Sequence, residues 1–174
     1  MDIFVEQIVK KEANGKTIAL KALIGVAAAA VCVIAGFLML MGFAIALFII
    51  MGAIYCAYWL MTNLDVEYEY IVTNGEIDVD KIIAQRKRKR LLTMKASNFE
   101  RFGKLSDAPA LAQGVTVINA EGTSPNASES YYADFPHPAH GNVRLVFTPE
   151  EKVIEAVRPY FSRTLRIEYD RKYK

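Results

Sequence analysis

The chain has 174 residues, 53% of them hydrophobic and 23% charged, and its 21 Lys+Arg against 19 Asp+Glu leave a net charge of +2. That balance gives no overall pull toward nucleic acid, and two cysteines are too few for a secreted disulfide framework. A wholly soluble protein is excluded as well, because no Asp, Glu, Lys, Arg or His occurs between Ala22 and Leu64.

Ahead of the uncharged run, Ile3, Phe4, Val5, Ile8 and Val9 recur at helical spacing against Glu6, Gln7, Lys10 and Lys11. Residues 1–16 therefore read as an amphipathic N-terminal segment lying along the inner membrane surface. The run itself is too long for one span, since a single helix over it would measure about 65 Å against a hydrocarbon core of ~30 Å. It divides into a transmembrane helical hairpin over residues 17–62, with a first span at 17–39 and a second from Gly42 to Met61. The chain reverses at Gly42, where glycine tolerates turn dihedrals. Tyr55, Tyr58 and Trp59 form an interfacial belt at the exit. A signal peptide is excluded, because its apolar stretch is shorter and ends at a cleavage site.

Lys10, Lys11, Lys16 and Lys21 before the hairpin and the run Arg86-Lys87-Arg88-Lys89-Arg90 after it place both ends in the cytoplasm of a cell membrane under the positive-inside rule. Within the spans, Gly25, Ala29, Cys32 and Gly36 on one helix and Gly42, Ala46, Ala53 and Ala57 on the other make stripes of small residues. Such stripes pack the spans together or join copies into a homo-oligomer. No ionisable group sits at membrane depth, so the hairpin reads as an anchor and not as a transport path.

Residues 65–174 carry a nearly neutral domain of ordinary size. Val66, Tyr68, Tyr70 and Val72 alternate with polar neighbours, Asn74-Gly75 signals a two-residue hairpin turn, and Ile77 and Val79 resume the alternation. One face of that hairpin collects Glu67, Glu69, Glu76, Asp78 and Asp80. Like charges opposite one another destabilise a sheet, so Arg86, Arg88 and Arg90 are expected to pair in as the next strand and neutralise it. Lys87 and Lys89 would then point away, toward an anionic leaflet or a partner.

Further strands are expected at 91–95, 115–119, 131–135 and 143–147, with an irregular stretch from Phe99 to Gly114. Ser97-Asn98-Phe99-Glu100 has capping-box spacing for a short helical turn. The sequon Asn126-Ala127-Ser128 is a chance match in a cytoplasmic domain. Thr148-Pro149-Glu150-Glu151 opens a C-terminal helix with Val153, Ile154, Val157 and Phe161 on its apolar face, and Pro159 ends or kinks it near Arg158.

Asp134, His137 and His140 use a metal-ligand vocabulary, and they define the alternative of a metal-binding or enzymatic domain. Pro136 and Pro138 argue instead for a turn. No phosphate-binding glycine loop, zinc cysteine pair or nucleophile elbow occurs, so no cofactor and no enzymatic activity are expected.

The stretch from Val66 to Ile82 with the basic run, together with Met1-Asp2-Ile3-Phe4-Val5-Glu6 and the region Tyr131-Tyr132-Ala133 to His137-Pro138, resembles a family of small uncharacterised membrane proteins from Firmicutes. In architecture the chain is also similar to bacterial membrane proteins with a pleckstrin-homology-like domain behind a transmembrane hairpin. That resemblance implies an α+β chain: the hairpin, then a small antiparallel, partly open barrel closed by the C-terminal helix. The expected role is a membrane-anchored, non-enzymatic binding or scaffold protein whose basic run meets proteins or anionic lipid headgroups, with a structural subunit of a larger membrane complex as a further alternative.

Overall fold

The computed structural model describes residues 2–127 and 129–173, so Ser128 of the sequon lies outside them. The chain forms two compact units, one of residues 13–66 with 83–86 and the other of the remaining segments.

In the first unit, α1 (Gly15–Leu40) and α2 (Ala46–Asn63) make a helical hairpin. Asn14 starts α1, its Oδ1 accepting from the Thr17 N–H at 2.9 Å. The reversal occupies 41–45, where Gly42 takes a φ of +91°. At about 1.5 Å per residue the helices span about 39 and 27 Å, and both are apolar enough to cross a bilayer. Along the two helices Ala35 and Ala46 are buried, and Gly25, Cys32, Gly36, Ala53 and Ala57 are half-buried. Ala29 is exposed, and Ala28 beside it is half-buried. Gly42 belongs to the turn and is exposed. At the base of the unit Lys21 Nζ meets Asp65 Oδ1 at 2.6 Å, and the turn 83–86 is tied on by Ala84 N–H to the Asp65 carbonyl at 2.9 Å and Arg86 Nη2 to Thr62 Oγ1 at 3.1 Å.

In the second unit, residues 4–10, expected as part of an amphipathic helix, form strand β1 (Phe4–Lys10), antiparallel to β2 (Val66–Thr73) with Lys10 opposite Glu67. The apolar positions split between the two faces of a strand, 3, 5 and 9 on one and 4 and 8 on the other, so their spacing does not mark a strand and the pairing with β2 makes one. Gln7 and Val9 point inward, while Phe4, Glu6, Ile8 and Lys10 are exposed. The domain therefore draws on both sides of the helical hairpin and does not begin at residue 65.

β2 turns into β3 (Glu76–Ile83) through Asn74 and Gly75, with φ of +49° and +83°, and β4 (Lys87–Lys95) completes a sheet ordered β1-β2-β3-β4. A second sheet, β5-β7-β8-β6, holds β5 (Arg101–Lys104), β6 (Thr116–Ala120), β7 (Tyr131–His137) and β8 (Gly141–Phe147). β5 lies inside the stretch expected to be irregular, and β6 runs parallel to β8, the one parallel pair in the sheet. The helical turn expected from Ser97 onward is a single 3₁₀ turn at Ala96–Asn98, after which Phe99 is already extended.

Two C-terminal helices, α3 (Glu151–Val157) and α4 (Arg163–Tyr173), cover the sheets, with Pro159 in the turn that separates them. Thr148 does not cap α3. It is drawn inward, its N–H donating to the Tyr70 hydroxyl at 3.2 Å and its carbonyl accepting from Gln7 Nε2 at 3.0 Å. Gln7 Oε1 in turn accepts from the N–H of Glu150, the N-cap residue, at 2.7 Å. The Tyr70 hydroxyl donates to the Ala120 carbonyl, and its ring meets Phe147 edge-on at 5.5 Å. Two buried polar side chains thus tie the first sheet to the ends of β6 and β8. Below them Phe102 gathers Phe99, Phe161 and Tyr169 into an aromatic core.

Burying Val9 contributes about 1.5–3 kcal/mol, and the two Gln7 hydrogen bonds add to it. A fragment beginning at residue 65 loses both and is expected to melt without a cooperative transition. A chain in which a short glycine-containing turn replaces residues 13–64 keeps Lys10 opposite Glu67 and is expected to melt cooperatively, as followed by circular dichroism.

Candidate functional site: the charged face of the first sheet

The basic run divides at the boundary between the two units. Arg86 belongs with the helices and bonds Thr62, whereas Lys87 to Arg90 open β4 in the domain. There Arg88 Nη2 reaches Glu69 Oε1 at 2.8 Å. Arg90 holds two carboxylates, Asp78 through Nη1 at 2.6 Å and Asp80 through Nε. Thr93 Oγ1 donates to Asp78 at 2.6 Å and accepts from Arg90 Nη1 at 3.1 Å. The expected neutralisation of the acidic hairpin face is realised by Arg88 and Arg90. Lys87 and Lys89 are exposed and make no ion pair among the described residues.

Glu69 and Asp80 are buried while their arginine partners reach solvent, so each carboxylate has lost its hydration to one side chain. Glu69 is the less satisfied of the two: Oε1 has Arg88, but Oε2 is buried without a hydrogen-bond donor among the described residues. Burial pushes the Glu69 carboxyl above the ordinary carboxylate range, the facing carboxyl of Glu6 on β1 pushes the same way, and Arg88 opposes them. Glu6 is a partner that a hairpin-based reading misses, because it becomes a neighbour only once residues 4–10 are a strand.

Asp134, His137 and His140 are not brought together. Asp134 accepts a bidentate pair from the buried Arg144, at 2.6 and 2.7 Å, and Arg144 also donates to the Pro109 carbonyl at 2.7 Å. Arg144 thereby pins the irregular loop after β5, the structural work that Asp134 supports. The two histidine rings stack at 5.0 Å across the β7–β8 turn, and His137 Nδ1 accepts from the Ala139 N–H at 3.2 Å. No group of three His, Cys, Asp or Glu able to hold a metal occurs among the described residues.

An open groove of about 760 Å³, which no sequence motif signals, lies along α3 and α4 and is lined by Lys104, Tyr131, Ile154, Arg158, Tyr169 and Lys172. Its cations are already matched: Lys104 with Glu129 at 2.6 Å, Arg158 with Asp170 at 2.6 Å and Lys172 with Asp107 at 3.0 Å.

Two outcomes test the charged face. Arg90→Ala leaves the buried Asp80 without its ion pair and is expected to cost about 3 kcal/mol by chemical denaturation of the full chain. Glu69 is tested through pH. A carboxyl held above its unfolded value binds its proton more tightly in the folded state, so its contribution is present in acid and is lost as pH rises from the ordinary carboxylate range. Glu69→Gln is accordingly expected to gain stability relative to the parent as pH is raised from about 4 to about 7, seen as diverging melting temperatures.

No curated protein and no solved structure matches this chain. The family described as Bacterial PH-like domain (DUF6106) matches residues 1–167, a stretch that takes in β1, both apolar helices, the two sheets, α3 and the start of α4. The two-sheet domain with its C-terminal helical cover and the match over nearly the whole length agree, and the chain belongs to this bacterial PH-like domain family.

Proposed function

We propose that this protein is a membrane-anchored, non-enzymatic binding module, with the helical hairpin in the cell membrane and the PH-like domain and both termini on the cytoplasmic side. The observation that carries the reading is the place of the hairpin in the chain. It is inserted between β1 and β2, two neighbouring strands whose register sets Lys10 opposite Glu67. Both ends of the hairpin therefore leave from one ladder, and an anchor made this way crosses the bilayer an even number of times. Helix length and the absence of charge within the spans support insertion in the membrane, and the lysines that precede α1 support the cytoplasmic side for the ends.

In this arrangement Lys87 and Lys89 are the contact to partners, because Arg88 and Arg90 are held by carboxylates of the sheet. Two free lysines near an anionic surface contribute about 2 kcal/mol, enough to bias the domain's orientation but not to recruit it without the anchor. The sequence expectation of five cooperating cations thus narrows to two.

Orientation is tested by cysteine labelling of intact cells after Cys32 and Cys56 are replaced by alanine. A membrane-impermeant maleimide is expected to label Phe43→Cys in the hairpin turn and to spare Glu12→Cys and Glu129→Cys until the cells are lysed. Labelling of Glu129→Cys in intact cells would sink the cytoplasmic assignment.

A further inference from the structure

The two edges of the first sheet are treated differently. β1 is closed at its end by Thr123, whose N–H and carbonyl pair with Lys10 at 2.7 and 3.1 Å, an approach close enough that any side chain at Gly122 would strike Lys10 and Val9. β4, at the opposite edge, pairs with β3 alone among the described residues. Its residues 87–90 are all exposed. An uncovered edge presents a row of backbone N–H and C=O groups to any extended chain.

The charge on that edge selects what can use it. Arg88 and Arg90 turn onto Glu69, Asp78 and Asp80, so their charge is spent within the sheet. Lys87 and Lys89 lie one strand repeat apart, on one side of β4, and Lys95 follows on the same strand; none of the three has an ion pair among the described residues. A second copy of β4 at this edge would set lysine against lysine, which disfavours self-pairing. An extended segment with alternate carboxylates would set acid against lysine while its backbone continued the ladder. The same lysines thus exclude the commonest wrong partner and admit an acidic one.

We propose that the β4 edge accepts a short acidic extended segment of a partner protein as a fifth strand of the first sheet, its alternate carboxylates on Lys87 and Lys89. The proposal rests on the reading of those lysines as the binding contact and adds to it a partner class and a mode: backbone pairing supplies affinity and the two charges supply selection. An anionic lipid surface would need the charges without the backbone ladder, and that difference separates the two.

The test uses the full chain in nanodiscs of zwitterionic lipid and two labelled nonapeptides of equal charge, one alternating Glu with Thr and Val, the other carrying proline at alternate positions. The first is expected to bind at least tenfold more tightly than the second and to slow amide exchange at residues 87–91. Lys87→Glu with Lys89→Glu is expected to lose at least tenfold, and Lys87→Gln with Lys89→Gln an intermediate amount, both with parental melting temperatures since neither side chain is buried. Equal binding of the two peptides, binding without protection of 87–91, or no binding overturns strand addition. If, in addition, anionic nanodiscs protect 87–91 in the parent and not in the glutamate variant, the lysines serve the membrane and the binding role survives without the strand. If neither peptide nor anionic lipid distinguishes parent from variant, both readings fall.

Discussion

The antiparallel ladder between Phe4–Lys10 and Val66–Thr73 is the constraint from which the rest of the molecule follows. It makes one sheet from segments on either side of a long apolar hairpin, so the domain cannot be completed until the chain has gone out along α1 and come back along α2. Closing so long an intervening segment is entropically costly, and the ladder is sustained because β1 also buries Val9 and brings Gln7 to the backbone at 148 and 150. The strand that precedes the helical hairpin and the strands that follow it therefore belong to one folding unit.

Within the domain, polar groups do much of the specifying. The hydroxyl of Tyr70 and the amide of Gln7 meet the backbone where β6 and β8 end, and each would be costly to bury in any other register. On the opposite face of the same strands the carboxylates of Glu69 and Asp80 are buried under Arg88 and Arg90. The asymmetry between them is chemical. Asp80 has a guanidinium that also bridges to Asp78, whereas Glu69 has one arginine bond and an oxygen facing Glu6. Burial and Glu6 hold the Glu69 carboxyl above the ordinary carboxylate range, against the pull of Arg88.

Much of this architecture is legible in the residues. The Asn74-Gly75 turn, the hairpin around it, the strands near 116, 131 and 143 and the basic strand beside the acidic face all follow from period-two alternation, turn chemistry and like-charge repulsion, which are local rules. Where the reading failed, the deciding contact was distant in sequence. Phe4–Lys10 is a strand because β2 lies beside it, and Thr148 is no helix cap because Tyr70 and Gln7 claim its backbone. β5 is short and becomes a strand through its pairing with β7. Asp134, which with two nearby histidines has the composition of a metal site, is the counter-ion of Arg144 on the neighbouring strand.

The sequence by itself determined that there is an uncharged helical hairpin followed by a β-rich domain with an acidic hairpin and a basic strand, because hydrophobic periodicity and charge patterning are properties of contiguous residues. Only the tertiary structure decided which charges remain available. Alternation along the run already separates Lys87 and Lys89 from the arginines, but which carboxylates the arginines take is fixed only when β4 docks on β3. Then two guanidinium groups are committed to buried carboxylates, Arg86 goes with the helices, and Lys87 and Lys89 alone of the run stay free among the described residues, because strand alternation and cross-sheet pairing act through space and not along the chain.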